Sequence, residues 1–207
     1  MTFSPSALPT AEQLAEARGL SVLDERGGEV QFGSLVDGKR CIVIFIRHFF
    51  CGLCQDYLAF LSAHLPASLL AAHSTTLVIV GCGSPTLIAP YRARLALPVG
   101  WAAIVADPDR RVYAALGMTR RTLDLGHKAP EYLRGGMVAN VVGSITNALR
   151  FGKAASPGDL KQVGGEFVLA ADGSALWCHR MENTRDHAPL KELLRAAGIP
   201  SGQEEGR

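Results

Sequence analysis

The sequence has 207 residues, and its 21 basic and 19 acidic side chains leave a formal net charge of +2. Hydrophobic residues make up 48% of the chain and charged residues 19%, which excludes a disordered chain and predicts one domain with a sizeable core. The small net charge gives no reason to expect nucleic acid. No apolar stretch approaches the ~20 residues that a membrane span requires, so we expect no membrane partner.

Cysteine use and the N-terminus bear on the compartment. Residues 1–13 lack a basic segment followed by an apolar segment, so we expect no secretory signal and a cytoplasmic protein. In that reducing environment, the five cysteines are expected to be reactive, metal-bound or buried rather than joined in structural disulfides. Residues 1–9 and 200–207 lack apolar anchors and are expected to be loose ends.

Predicted elements of the first half alternate between strands and helices. Thr10 followed by Gln13 fits a capping box, which predicts a helix beginning near Ala11. Turns are expected at residues 27–28 and 37–38. The continuous apolar runs at residues 41–46 and 75–80 predict strands buried on both faces of a parallel sheet, and helical spacing of apolar residues predicts a helix over 51–64 between them.

The second half continues the alternation and then changes. We expect a helix over 85–95 with Ser84 as its N-cap, a short strand over 102–105, and a helix from 107 to about 116 ended by Gly117. Residues 117–163 form a mostly helical insertion in this interpretation, with one or two helices over 130–149. A hairpin of strands 166–170 and 175–179 and a last helix over 188–197 follow. This order is typical of a thioredoxin-like three-layer α/β fold with a mixed central sheet flanked by helices.

The strongest chemical signal is the pair Cys51 and Cys54, which follows a buried strand and opens a helix. The helix dipole and free N–H groups at a helix N-terminus favour a thiolate, which is the nucleophilic form of cysteine. A partner cysteine one turn on can then close a redox-active disulfide. Arg47 and His48 directly precede the pair and could add positive charge. A CxxC motif near a βαβ pattern is a redox signature.

Two alternatives without redox chemistry remain open for this pair. It could be half of a zinc site, although the remaining Cys and His residues do not form a second ligand pair, so we expect no metal. It could also be two inert buried cysteines. Cys41, Cys82 and Cys178 are expected to be small core residues.

A second polar cluster spans residues 177–187 and includes two arginines and two histidines. It could be a loop held by its own hydrogen bonds. Alternatively, His179 or Arg180 reaches toward the cysteine pair and stabilises an anion there.

Residues 45–54, 164–168 and 177–187 together resemble the peroxiredoxin-like proteins of the AhpC/TSA superfamily. More narrowly, they resemble the fungal members and the prostamide/prostaglandin F synthase type. The resemblance covers about residues 20–198. It implies a thioredoxin-like fold, Cys51 as the attacking thiolate, Cys54 as the resolving thiol, and no bound cofactor. It also implies an external reductant, either thioredoxin or glutathione and ultimately NADPH, and it is compatible with a homodimer.

The chain departs from true peroxiredoxins at the site. Counting back from Cys51, Ile44 occupies the position of the family's proline and His48 that of its threonine or serine. True peroxiredoxins also have an arginine just before a strand late in the sequence. This chain has the stretch 162–165 there, and Gly165 could let a substrate approach the backbone closely. Arg47 and His48 are our candidates to replace part of the substrate-binding group.

Three functions are therefore compared. The first is a thiol-dependent oxidoreductase that uses the CxxC pair to reduce a peroxide, endoperoxide or disulfide bond. The second is a tailoring enzyme of fungal secondary metabolism acting on one organic substrate. The third is a thioredoxin-fold redox-sensing or binding module without turnover.

Overall fold

A seven-stranded mixed sheet forms the centre of the computed structural model, which describes residues 3–127, 130–133 and 156–200. Its spatial order is β2-β1-β5-β4-β3-β6-β7. The strands are β1 Ser21–Leu23, β2 Glu29–Gln31, β3 Arg40–Phe45, β4 Thr75–Gly81, β5 Ala103–Ala106, β6 Gly165–Leu169 and β7 Ala175–Arg180.

The three central strands β5, β4 and β3 are parallel, and the strands outside them pair antiparallel. The helices are α1 Ala11–Gly19, α2 Phe32–Val36, α3 Gly52–His64, α4 Ala67–Ala72, α5 Ile88–Arg94, α6 Arg111–Ala115 and α7 Leu190–Ala196. Because parallel strands need crossover connections, α3 and α4 join β3 to β4, and α5 joins β4 to β5.

Two hydrophobic layers cover the sheet, one on each face. Alternate residues of β3 point to opposite layers, with Ile42 and Ile44 in one and Val43 and Phe45 in the other. The first layer is closed by α3, α4, α5 and α7, and the second by α1, α2 and α6. The expected three-layer α/β fold with a mixed sheet is confirmed. No helix within the described ranges is long and apolar enough to cross a bilayer.

Most predicted elements are confirmed with small shifts of their ends. The capping box at Thr10 and Gln13 is present, with both reciprocal hydrogen bonds. The helix expected over 85–95 is a 3-10 turn, Pro85–Leu87, followed by α5, and Ser84 makes no side-chain cap. The helix expected from 107 begins only at Arg111, because the Asp107 carboxylate accepts the N–H groups of residues 111–113 instead of starting the helix itself.

The predicted insertion at 117–163 is described only in part. Its described residues form irregular chain with one isolated bridge between Arg121 and Gln162. The helices expected over 130–149 fall largely on residues 134–155, which lie outside the described residues, so they stay a prediction.

Tyr113 of α6 ties the residue after β3, which leads to the cysteine pair, to the end of the neighbouring strand β4. Its buried hydroxyl donates to the carbonyl of Ile46 at 2.6 Å and lies 2.9 Å from that of Val80. The contact fixes the start of the loop at residues 46–51 relative to the end of β4.

We predict that Tyr113→Phe lowers the free energy of unfolding by about 1–3 kcal/mol, since the buried carbonyl of Ile46 loses the hydroxyl that donates to it. Tyr91→Phe is the matched control, because the buried Tyr91 hydroxyl has no hydrogen-bond partner among the described residues. Urea unfolding of both variants measures the effect. Equal losses in the two variants would contradict the assigned role of Tyr113.

Candidate active site around the cysteine pair

Cys51 is the N-cap residue of α3, as the sequence predicts. Its backbone is extended, and its sulfur accepts the backbone N–H of Cys54 at 3.4 Å. A cap position places the sulfur at the positive end of the helix. The side chain is only 3% exposed, so the sulfur lies just beneath the surface. All five cysteines are free thiols in this structure.

Arg47 supplies a fixed positive charge to this sulfur. Its Nη1 lies 3.4 Å from Cys51 Sγ, while Nη2 and Nε donate to the carbonyls of Leu160 at 2.6 Å and Gln162 at 3.3 Å. The guanidinium is therefore held by the loop before β6. The structure brings Arg47 to the cysteine pair, as the sequence predicts.

His48 also lies beside the pair, but its contribution is weaker. Burial lowers the pKa of His48 most, while Cys51 raises it and Arg47 lowers it further. The ring is therefore largely neutral near pH 7. Its Nδ1 has no hydrogen-bond partner among the described residues. We assign the main positive charge near Cys51 to Arg47 rather than to His48.

The pKa of Cys51 lies well below that of an ordinary thiol. Burial alone would raise it, but the hydrogen bond from the Cys54 thiol lowers it, followed by the charge of Arg47, by His48 in its protonated form and by the Cys54 backbone N–H. Burial disfavours the anionic form of Cys51, whereas these groups all stabilise it, and their combined effect on the pKa is larger than that of burial. Cys51 is thus the thiolate of the pair.

Cys54 has the opposite character. Its sulfur is fully buried, and burial raises its pKa well above the ordinary value, followed by the hydrogen bond to Cys51 and the negative charge there. The backbone N–H of Arg47 points to Cys54 Sγ at 3.4 Å. The two cysteines therefore share one proton, which stays on Cys54.

A buried histidine and glutamate stand behind Cys54. His187 Nε2 lies 3.3 Å from Cys54 Sγ, and His187 Nδ1 lies 2.6 Å from Glu166 Oε1. The backbone N–H of Ala188 donates to the other oxygen of Glu166 at 3.1 Å. Both side chains of the His187–Glu166 pair are 0% exposed. The sequence interpretation did not single out either residue as functional.

Two tyrosines fix the His187 ring. The Tyr57 ring stacks on it at a centroid distance of 4.3 Å and an interplanar angle of 8°, and Tyr132 meets it edge-on at 5.9 Å. Each tyrosine hydroxyl is itself held, by the carbonyls of Ala188 and Arg185. A ring stacked on one face and met edge-on by a second aromatic ring can point its Nε2 at one sulfur.

Three other expected substrate contacts are not made at the pair. The Arg180 guanidinium lies on the opposite face of the sheet, stacked on Phe167 and bonded to the carbonyl of Leu116 at 2.6 Å. His179 Nε2 instead binds Asp186, at 2.7 Å to its carbonyl. A side chain at Gly165 would meet the His179 carbonyl at 2.5 Å, so the close approach there is to β7.

The polar cluster at 177–187 therefore combines both interpretations. Most of it is a loop held by its own hydrogen bonds, including those of Asp186 to the Glu182 N–H and of Asn183 to the Arg185 N–H. Its last residue, His187, does reach the cysteines. One sequence signal could have pointed to the His187–Glu166 pair: Glu166 is a charge in an otherwise apolar strand, and a buried charge needs a partner.

The remaining cysteines are inert by environment. Burial raises the pKa of Cys41 to about 11 and that of Cys82 to about 11, and it also raises that of Cys178. The Cys82 thiol donates to the Arg47 carbonyl at 2.9 Å. Within residues 3–127, 130–133 and 156–200, no three His, Cys, Asp or Glu side chains converge as a metal site.

Comparison with known proteins identifies the family. Residues 61–183 match the family model described as AhpC/TSA antioxidant enzyme. Human Peroxiredoxin-like 2C is 32% identical over 195 residues, covering 94% of this chain and 83% of the human protein. The chain belongs to the AhpC/TSA family. Its matched range begins after Cys51 and Cys54, so the family match does not itself test the pair.

Other relatives agree on the family and the fold. Prostamide/prostaglandin F synthase of Salmo salar is 26% identical over 91% of this chain and 90% of its own length. Peroxiredoxin Q of Xanthomonas campestris superposes with a TM-score of 0.56, at 12% identity, over 93% of this chain and 91% of its own. Peroxidoxin BcpB of Mycobacterium tuberculosis gives 0.56 at 13% identity, over 97% and 100%. The peroxiredoxin-like, thioredoxin-type fold is thereby shown.

We predict that Arg47→Gln shifts the pH midpoint of Cys51 alkylation upward by about one unit or more, because the thiolate loses its fixed cation. Iodoacetamide labelling with peptide mapping measures it. Arg110→Gln is the control, since Arg110 pairs with Asp159 of the neighbouring loop rather than with Cys51. An unchanged midpoint in Arg47→Gln would remove Arg47 from the account.

Proposed function

We propose that this protein is a thiol-dependent peroxidase of the dithiol type, in which Cys51 attacks and Cys54 resolves. The observation that carries the proposal is the difference between two adjacent thiols. One is held as an anion at a helix N-terminus beside Arg47, and the other is kept protonated within hydrogen-bonding reach. Family membership supports thiol oxidoreductase chemistry in general.

The proposed first step is attack of the Cys51 thiolate on one oxygen of a hydroperoxide. The O–O bond breaks, the sulfur becomes a sulfenic acid, and the leaving oxygen takes a proton to form water or an alcohol. Cys54 then attacks the oxidised sulfur, and water leaves as the disulfide forms. Arg47 is placed to stabilise negative charge that passes between the sulfur and the peroxide oxygens.

The surroundings of Cys51 favour a small substrate. Cys51 is 3% exposed, so a bulky molecule has little direct access to its sulfur. A cleft beside the loop is lined mainly by apolar and aromatic groups and holds about 20 Å³, which is room for a water-sized molecule. Its lining residues are Phe49, Phe50, Gln55, Leu87, Pro90, Tyr91 and Arg94.

The disulfide must be reduced again by an external dithiol, and we propose a thioredoxin-like donor in the cytoplasm, with glutathione as the alternative. We also propose a homodimer, which the family resemblance allows. No bound cofactor takes part in these steps.

A second candidate is reduction of an organic endoperoxide. The Salmo salar relative carries the name prostamide/prostaglandin F synthase, and the cleft beside the loop is lined mainly by apolar and aromatic groups. The same two thiols would serve, because an endoperoxide also contains an O–O bond. The buried position of Cys51 makes this the less favoured substrate class.

Thiol titration after one equivalent of hydrogen peroxide tests the proposal. We expect the wild type to lose two thiols rapidly, with peptide mapping to a Cys51–Cys54 disulfide that thioredoxin reverses. Cys51→Ser should lose nearly all turnover, since the attacking thiolate is gone. Cys54→Ser should keep the first oxidation and accumulate a trappable sulfenic acid at Cys51.

The outcomes separate the competing functions. Full turnover in Cys51→Ser with loss in Cys54→Ser would reverse the roles. Thiols that stay unreacted with hydrogen peroxide but are consumed by an organic endoperoxide would favour the second candidate. Stoichiometric oxidation without reductant-driven turnover would indicate a redox-sensing module instead of an enzyme.

A further inference from the structure

Cys54 has one thiol hydrogen and two acceptors for it. Toward the surface lies Cys51 Sγ, which its hydrogen bond stabilises as a thiolate. Toward the interior lies His187 Nε2 at 3.3 Å. Resolution requires Cys54 to lose this hydrogen, because only the thiolate is nucleophilic. In a site where burial holds the thiol protonated, that loss needs a neighbouring base.

The hydrogen bonds of His187 determine which ring nitrogen is free. Glu166 Oε1 lies 2.6 Å from Nδ1, and its other oxygen accepts from the Ala188 N–H. An ionised carboxylate can only accept, so ionised Glu166 is an acceptor on both sides. Nδ1 must therefore carry the hydrogen. In the neutral ring, Nε2 then carries no hydrogen, and its lone pair faces the Cys54 sulfur.

We infer that His187 is the general base that takes the Cys54 proton when Cys54 attacks the oxidised Cys51, and that Glu166 positions its ring and stabilises the imidazolium formed. This inference deepens the proposed function and rests on it. While Cys51 is a thiolate, the Cys54 hydrogen faces it. Once Cys51 is oxidised that negative charge is gone, and the hydrogen is released to His187.

The step balances in atoms and electrons. The Cys54 S–H bond breaks, its proton passes to His187 Nε2, and the sulfur's electron pair forms the bond to Cys51. The S–O bond of the sulfenic acid breaks, and the departing hydroxide takes one proton from solvent to become water. His187 afterwards returns its proton to solvent, so that the net products are a disulfide and one water.

The test isolates resolution with methyl methanethiosulfonate, a small reagent that needs no peroxide chemistry. In the first phase the Cys51 thiolate takes the methylthio group and releases methanesulfinate, and in the second phase Cys54 closes the disulfide and releases methanethiol, both followed by quenched-flow mass spectrometry. We expect Glu166→Gln and His187→Gln to keep the first phase within about threefold and to slow the second about 100-fold, a typical contribution of general-base catalysis. His64→Gln, a change in an exposed histidine of α3, should alter neither phase.

Glu166→Gln is informative because its amide can donate to Nδ1 and so force the hydrogen onto Nε2, the wrong nitrogen for a base. Imidazole ¹⁵N spectra of the wild type should show the hydrogen of neutral His187 on Nδ1, and those of the variant should show it on Nε2. The wild-type spectrum needs no variant to fold. A wild-type hydrogen on Nε2, or an unchanged second phase in both variants, would overturn the inference.

Failure of the proposed function looks different. A wild type that shows both methanethiosulfonate phases but leaves its thiols unreacted with hydroperoxides would overturn the peroxidase proposal. The His187 result would then still be decided by the second phase, as the base for disulfide closure in general.

Discussion

The hydrogen bond from the Cys54 thiol to the Cys51 sulfur shifts the pKa values of two buried thiols in opposite directions. It stabilises Cys51 as an anion, and it needs Cys54 to stay protonated while doing so. Arg47 strengthens the first effect, and burial strengthens the second. The pair is thus prepared for attack by one sulfur only, and the same arrangement makes the second step depend on where the Cys54 proton goes.

The sheet supplies the groups that meet this requirement inside a hydrophobic core. Antiparallel pairing of β3 with β6 sets Glu166 opposite Ile44, and this register brings a carboxylate to the face covered by α3. Buried polar groups are tolerated when their hydrogen bonds are satisfied. Glu166, His187 and the Ala188 N–H satisfy one another, which lets the core hold a polar chain ending at Cys54.

The substitutions relative to true peroxiredoxins become intelligible in this arrangement. His48 stands where the family has a threonine or serine, but its buried ring is largely neutral, so the charge on Cys51 is balanced chiefly by Arg47. Arg47 in turn is fixed by carbonyls of the loop before β6. In the proposed mechanism, attack and resolution are therefore supported from opposite sides of the pair, the loop on one side and Glu166 with His187 on the other.

Local sequence patterns predicted most of the fold because the strands, helices and caps concerned are determined by residues that are close in sequence. The apolar run in β3, the capping box at Thr10 and the CxxC at a helix start each depend on neighbouring residues. Arg180 and His179 were expected to contact the pair, but neither does. Arg180 lies on the opposite face of the sheet, and His179, opposite Glu166 in the register of β7 with β6, binds Asp186 instead. His187 and Glu166 are 21 positions apart, and only the tertiary fold brings them together.

The most direct test of the central claim is a pH titration of each thiol in the reduced wild-type protein. NMR of ¹³Cβ-labelled cysteine monitors each residue separately. The account predicts that Cys51 titrates well below the ordinary thiol range while Cys54 stays protonated far above it. Two cysteines that titrate together near the ordinary thiol value, or a Cys54 that ionises first, would contradict the account.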